Sequence, residues 1–111
     1  MNFLGKHTLH GGQDGTGKQI WKIIEQRSDL VTYGLELPAG HMGFPGKLQI
    51  ELEWQLTDTA SLRAEMRAHT DAPTFCNLAH HSYFNLTGRS TLHGHQLKIQ
   101  ADCFRQLEGD L

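Results

Sequence analysis

The sequence predicts an all-β protein with the architecture of an antiparallel β-sandwich, of which this chain forms only a part. Hydrophobic and polar residues alternate in several runs, and this period of two is typical of strands with one buried face. Turns rich in glycine and proline separate the runs at spacings of about 8–14 residues, as in sandwiches and barrels. We find no run with the 3.6-residue repeat of an amphipathic helix.

The clearest strand is expected at Leu48–Leu56, where leucine, isoleucine and tryptophan share one face and glutamine and glutamate share the other. A second alternating run follows at Leu62–Ala68, and the polar segment Thr57–Ala60 between the two predicts a hairpin turn. Trp21 and Trp54 are expected to pack in the core. Four further strands are expected at Gln19–Gln26, Val31–Leu37, Thr74–Leu78 and Leu97–Ala101.

The composition disfavours several classes of function. The chain has 111 residues and a formal net charge of -2, and its lysines and arginines do not cluster, which argues against a nucleic-acid or polybasic membrane surface. It shows no secretory or membrane-spanning apolar run, and its two cysteines are too few for a disulfide framework. We therefore expect a single, partial domain over residues 1–111 in the cytoplasm, with no nucleic-acid or membrane partner.

The predicted strands would leave sheet edges without a hydrogen-bonded neighbour. Exposed edges favour association with further strands. Either a longer chain or a second copy covers them, so a homo-oligomer is one expected arrangement.

Four segments contain residues suited to a chemical function, and their order is more informative than any one of them. They are Leu9–Gly15 with its His-Gly-Gly, the Gly-Phe-Pro-Gly turn of Gly43–Leu48, Pro73–Gly88 with its His-Ser-Tyr-Phe-Asn-Leu, and His95–Asp102. In this order and spacing they resemble the aldose 1-epimerase (galactose mutarotase) family, from about His7 to the C-terminus. The run His81–Leu86 is the most specific part of the resemblance.

This resemblance implies a fold and a reaction. The family fold is a large antiparallel β-sandwich, the galactose mutarotase-like supersandwich. The family interconverts the α and β anomers of aldohexoses by acid–base ring opening and closure, so the implied partner is a sugar of the galactose or glucose type. A carboxylate base takes the proton of the anomeric hydroxyl, and a histidine acid protonates the ring oxygen. The resemblance implies no metal and no organic cofactor.

The same resemblance assigns roles to individual residues. His81 matches the catalytic acid, and His10 matches a second active-site histidine that helps to hold the sugar and its ring oxygen. The alternatives are a strand-end histidine bonded to a backbone carbonyl for His81 and a plain loop histidine for His10. His80 and Tyr83 are candidates for contact with the substrate. Tyr83 and Phe84 face opposite ways if the segment is extended, and core packing is the favoured role for each.

Two positions depart from the family pattern. His80 stands where the family has asparagine, so it could contact substrate or shift the pKa of the neighbouring acid by like-charge repulsion. Pro38–Met42 stands where the family has Pro-Asp-Gly-Glu-Glu, and the loss of this acidic loop allows a different sugar preference. Asn77 and Asn85 are expected to satisfy backbone groups rather than to touch substrate.

Three functional groups of the family have no counterpart among these residues: a substrate-binding arginine, an aspartate that binds sugar hydroxyls, and the glutamate base. Glu51 and Glu53 lie on the polar face of a predicted strand and are interpreted as solvated. Because such an acid or base contributes roughly 10²–10⁴-fold to the rate, we expect this chain alone to be weak or inactive.

Two competing functions remain open on the sequence. The first is a non-catalytic carbohydrate-binding β-sandwich module. The second, and least favoured, is a metal site built from His80, His81, His93 and His95, because adjacent histidines on a strand face opposite ways.

Overall fold

The structure is a computed structural model that describes residues 5–104, and its regular structure is mostly strand. Four strands form one antiparallel sheet in the order β1-β2-β3-β4, namely β1 Lys22–Gln26, β2 Leu30–Leu37, β3 Leu48–Leu56 and β4 Leu62–Thr70. Two 3-10 helices of three residues each lie at Thr16–Lys18 and His41–Gly43. The predicted all-β class is therefore confirmed. Within residues 5–104, no helix has the length and apolar character needed to cross a bilayer.

The register of the sheet gathers hydrophobic residues on one face, as the period of two predicts. Leu35 of β2 pairs with Ile50 of β3, and Ile50 in turn pairs with Ala68 of β4. Side chains directly opposed on neighbouring strands lie close enough to pack against each other. Ile50 is only 2% exposed, so this row is the centre of the packing on the sheet.

The opposite face of the sheet is charged. Arg67 of β4 places its Nη1 4.0 Å from Glu51 and 3.8 Å from Glu53 on β3, and it also pairs with Glu65 on its own strand. The expectation that both glutamates of β3 are solvated is confirmed for Glu51, which is exposed. It is wrong for Glu53, which is half-buried and lies beside the Arg67 guanidinium of the neighbouring strand.

The turn between β3 and β4 is the hairpin that the sequence predicts at Thr57–Ala60. The amide of Thr57 donates to the carbonyl of Ser61 at 2.9 Å, and the amide of Ala60 donates to Thr57 at 3.0 Å. Ala60 has a φ of 56°, in the left-handed region that suits few residues with a Cβ. The strands it joins stay paired to their ends, from Leu56 with Leu62 onwards.

Two of the expected strands do not form, and another is shorter. Residues 74–78 and 97–101 are irregular, and β1 begins at Lys22 rather than at Gln19. A strand requires a neighbour that completes its hydrogen bonds, and an alternating pattern identifies the buried face without identifying that neighbour. Leu97 is accordingly 87% exposed. Trp21 and Trp54, expected in the core, are half-buried.

The chain divides into two compact units. In the described part, the first runs to Ala79 and contains the whole sheet, and the second begins at His80 and contains turns and irregular segments. The expectation of one partial domain over residues 1–111 stays a prediction.

Candidate functional site

His10 lies in a tight turn whose backbone depends on glycine. His10, Gly11 and Gly12 have φ values of 54°, 78° and 102°, and the amide of Gly12 donates to the carbonyl of Leu9 at 3.0 Å. Glycine adopts positive φ without the steric cost that a Cβ brings. The two glycines therefore let the chain reverse directly after His10, whose side chain is exposed.

The residues after this turn are held by side chains from the segment that follows. Lys18 Nζ donates to the carbonyl of Gln13 at 2.6 Å, and Gln19 Nε2 donates to the carbonyl of Asp14 at 3.0 Å. Gly15 is buried, and a Cβ built on it would collide with the carbonyl oxygen of His10. The backbone of His10 is thus packed against a position where only glycine fits.

A second loop, between β2 and β3, also contacts this turn. The Nε2 atom of His41 lies 2.7 Å from the carbonyl oxygen of Asp14, and the amide of Asp14 points at the sulfur of Met42 at 3.3 Å. A carbonyl oxygen can only accept, so the Nε2 atom of His41 carries a proton. Sequence reasoning did not find this contact, because spacing along the chain does not reveal which loops meet. The nearest signal was the departure of Pro38–Met42 from the family pattern.

The other predicted site residues lie together in the second unit. The ring centroids of His81 and Tyr83 are 5.0 Å apart, and those of His80 and Phe84 are 6.0 Å apart. Ser82 Oγ lies 2.9 Å from His80 Nε2. His80 and His81 are both exposed, so solvent and small molecules can reach their imidazoles.

The favoured core role of Tyr83 and Phe84 is wrong. Tyr83 is 78% exposed and Phe84 is 59% exposed. The segment forms no paired strand, so neither side chain is covered by an opposing layer of the described chain. The contact of Tyr83 with substrate stays a prediction, and its exposure leaves the ring accessible to a sugar.

Hydrogen bonds from side chains to the backbone organise the segment after Tyr83. Asn85 Oδ1 accepts from the amide of Thr87 at 3.2 Å, and Asn85 Nδ2 donates to the carbonyl of Arg89 at 2.5 Å. This confirms the expectation that Asn85 satisfies backbone groups, as asparagine commonly does at turns. The corresponding expectation for Asn77 stays a prediction.

His95 also bonds the backbone with both ring nitrogens. Its Nδ1 lies 3.0 Å from the carbonyl oxygen of Leu92, and its Nε2 lies 3.1 Å from the amide nitrogen of Leu86. The carbonyl requires a proton on Nδ1 and the amide requires a lone pair on Nε2, so the ring is the neutral Nδ1–H tautomer. Both nitrogens are occupied, which argues against His95 as a metal ligand. Across residues 5–104, no three histidine, cysteine or acidic side chains are grouped so that they could hold an ion.

Glu36 is the carboxylate of the sheet whose titration the structure perturbs most clearly. Lys47 Nζ lies 2.8 Å from Glu36 Oε2, and the pKa of Glu36 is lowered by hydrogen bonds from Lys47 and Gln49. A general base near neutral pH benefits from a raised pKa. Glu36 is therefore part of an ion pair at the sheet surface rather than a substitute for the family's glutamate base.

Comparison with known proteins agrees with these motifs. The model of the aldose 1-epimerase family matches residues 1–109. This chain therefore belongs to the aldose 1-epimerase family. No solved structure gives a significant match.

The similar proteins are enzymes of this family from bacteria and mammals. The aldose 1-epimerase of Escherichia coli is 38% identical over 99 residues, which are 88% of this chain and 29% of that protein. The aldose 1-epimerase of Haemophilus influenzae is 34% identical over 109 residues, 96% of this chain and 32% of that protein. The galactose mutarotase of Bos taurus is 35% identical over 104 residues, 90% of this chain and 29% of that protein. The chain thus spans less than a third of the length of these relatives.

Proposed function

We propose that this chain carries part of the sugar site of an aldose 1-epimerase, an isomerase that interconverts the α and β anomers of an aldohexose of the galactose or glucose type. The observation that carries the proposal is the family match over residues 1–109, which includes the run His81–Leu86 and the His10 turn. The proposed location is the cytoplasm. The reaction requires two proton transfers and no group transfer, so the proposal includes no cofactor.

In the proposed mechanism, His81 acts as the acid. A base removes the proton of the anomeric hydroxyl while the His81 imidazolium donates a proton to the ring oxygen, and the bond between the anomeric carbon and the ring oxygen breaks. Rotation about the next carbon–carbon bond presents the other face of the aldehyde. The same groups then act in reverse to close the ring. Histidine suits this role because it is the residue type that titrates near neutral pH.

His10 is the proposed second contact to the sugar ring. Its imidazole is exposed on a turn with a defined backbone, which lowers the entropy lost when a ligand binds. His80 and Tyr83 are proposed to contact the sugar beside His81, because their rings lie in the same accessible segment.

The glutamate base of the family has no counterpart among these 111 residues. We therefore propose that the 111 residues on their own are weakly active or inactive, since removal of a general base costs about 10²–10⁴-fold. A non-catalytic carbohydrate-binding module is the second candidate function. It is favoured by the same lack of a base together with the accessible histidines.

Polarimetry on freshly dissolved α-galactose tests the proposal. Equilibration slightly faster than in buffer, lost in His81→Gln and retained in the control His69→Gln, supports the proposed weak activity. His69 is an exposed histidine on β4. Galactose-dependent NMR shifts at His10 and His81 without any acceleration would support the binding module. Neither acceleration nor such shifts would contradict both functions for this chain.

A further inference from the structure

The loop between β2 and β3 contacts both backbone polar groups of Asp14. His41 Nε2 donates to the carbonyl oxygen of Asp14 at 2.7 Å, and the sulfur of Met42 accepts from the amide of Asp14 at 3.3 Å. His41 has a side chain that is 17% exposed and also lies 4.0 Å from the Asp14 carboxylate. Two consecutive residues therefore fix both backbone polar groups of Asp14.

Met42 also packs against the His10 turn itself. A Cβ built on Gly12 would lie 2.9 Å from Met42 Sδ and 3.1 Å from Met42 Cγ, so the thioether already fills the space beside this glycine. Met42 adopts a φ of 52°, between Gly40 at 83° and Gly43 at 85°. A left-handed conformation is unfavourable for methionine and persists only where the surroundings compensate for it. Its contacts with Gly12 and Asp14 supply that compensation.

Gly12 and Asp14, which the β2–β3 loop contacts, are close to His10 in the chain. Asp14 precedes Gly15 in the chain, and a Cβ built on Gly15 would collide with the carbonyl of His10, so there is no room for a side chain there. Gly12, under the Met42 side chain, closes the turn that begins at Leu9 through its bond to the Leu9 carbonyl. A loop held at Gly12 and at Asp14 leaves the backbone of His10 little freedom to move.

We propose that His41 and Met42 are positioning residues that hold the His10 turn in the conformation in which His10 binds the sugar. The part of this inference that concerns the sugar rests on the proposed function, and the part that concerns the turn does not. These two residues stand in the segment that departs from the family's acidic pattern, so the proposal gives that departure a physical role.

The test uses NMR on the full 111-residue chain, with and without galactose. The variants are His41→Ala, Met42→Gly, which tolerates positive φ and lacks the thioether, and His41→Gln, which retains a side-chain N–H donor. His69→Ala is the control for loss of an exposed histidine. We expect Met42→Gly to speed exchange of the Asp14 amide by about tenfold, because it removes the acceptor of that amide. His41→Ala should speed the same exchange by releasing the loop that holds Met42 in place, while the amides of β3 stay unchanged.

Two further results are expected, and several outcomes would overturn the proposal. His41→Gln should restore exchange to within about twofold of the wild type, since one donor replaces another. The galactose-dependent shift at His10 should be lost in His41→Ala and retained in His69→Ala. Unchanged exchange at Asp14 in His41→Ala, or an equal effect of His69→Ala or of His41→Gln, would overturn it. If wild-type His10 shows no shift with galactose, the sugar function fails while the exchange data still decide the role of the turn.

Discussion

Lys47 Nζ lies 2.8 Å from Glu36 Oε2, so an ion pair joins the end of β2 to the residue that precedes β3. Gln49, the cross-strand partner of Glu36, adds a hydrogen bond from its Nε2 at 3.1 Å. Both donors favour the ionised carboxylate, and they lower the pKa of Glu36. The pair joins the two strands where the β2–β3 loop begins and ends, and that loop also contains His41 and Met42.

Removal of Lys47 is expected to change how Glu36 titrates. In Lys47→Ala the pKa of Glu36 should rise towards the ordinary glutamate value, and Lys47→Arg should keep it low. The contribution of the pair to stability is present above the ordinary pKa and is lost as pH falls through the lowered one. The stability difference between wild type and Lys47→Ala should therefore shrink in acid. NMR titration of the Glu36 carboxyl carbon measures the shift, and an identical pKa in the two proteins would contradict the pairing.

Truncation at the centre of the sheet is expected to be costly. Ile50→Ala should lower the free energy of unfolding by about 2–4 kcal/mol, because Ile50 is 2% exposed and its loss leaves a cavity. Ile24→Ala is the matched control, since Ile24 is 58% exposed on β1, and it should cost less than about 1 kcal/mol. Urea unfolding followed by circular dichroism compares them. Equal losses would show that Ile50 is not the centre of the packing.

The β3–β4 turn offers a stabilising substitution. Ala60→Gly should raise the free energy of unfolding by about 0.5–1 kcal/mol, because Ala60 has a φ of 56° and a Cβ is unfavourable there. The greater freedom of glycine in the unfolded chain offsets part of the gain. Ala39→Gly, at a position without a positive φ, should not stabilise. Thermal unfolding of both variants measures the difference, and a loss of stability in Ala60→Gly would show that the turn has another backbone conformation.

Gly15 is expected to tolerate no side chain. Gly15→Ala should destabilise the chain by about 1–3 kcal/mol, because the new Cβ collides with the carbonyl of His10 and the turn must shift. Gly17→Ala is the control, since a Cβ there meets nothing within 4 Å. Unfolding measurements together with the NMR shift of the His10 ring would report both effects. Equal behaviour of the two variants would mean that the His10 turn is not packed against Gly15.

The strands that the sequence predicted well are those whose partners are near in the chain. The β3–β4 hairpin combines two alternating runs with a short polar turn, so both the face and the neighbour follow from local pattern. Residues 97–101 alternate equally well and form no strand. Their alternation predicts a buried face but contains no information about a pairing partner.

The same distinction between local and distant contacts applies to the candidate site. The glycine turn at His10 and the backbone role of Asn85 were predictable, since each depends on residues within a few positions. The contact of His41 with Asp14 joins residues 27 apart, and only the three-dimensional arrangement of two loops reveals it. The exposure of Tyr83 was not predictable either, because it depends on whether another layer covers an aromatic residue.

The two edges of the sheet differ in how readily they can pair with a further strand. On one side lies β1, five residues long and with irregular pairing between Ile23 and Glu25; on the other lies β4, nine residues long and regularly paired along its whole length. A short, bulged edge resists augmentation, and a long regular one templates it. Growth of this sheet, whether by more of the same polypeptide or by another molecule, should therefore proceed outward from β4.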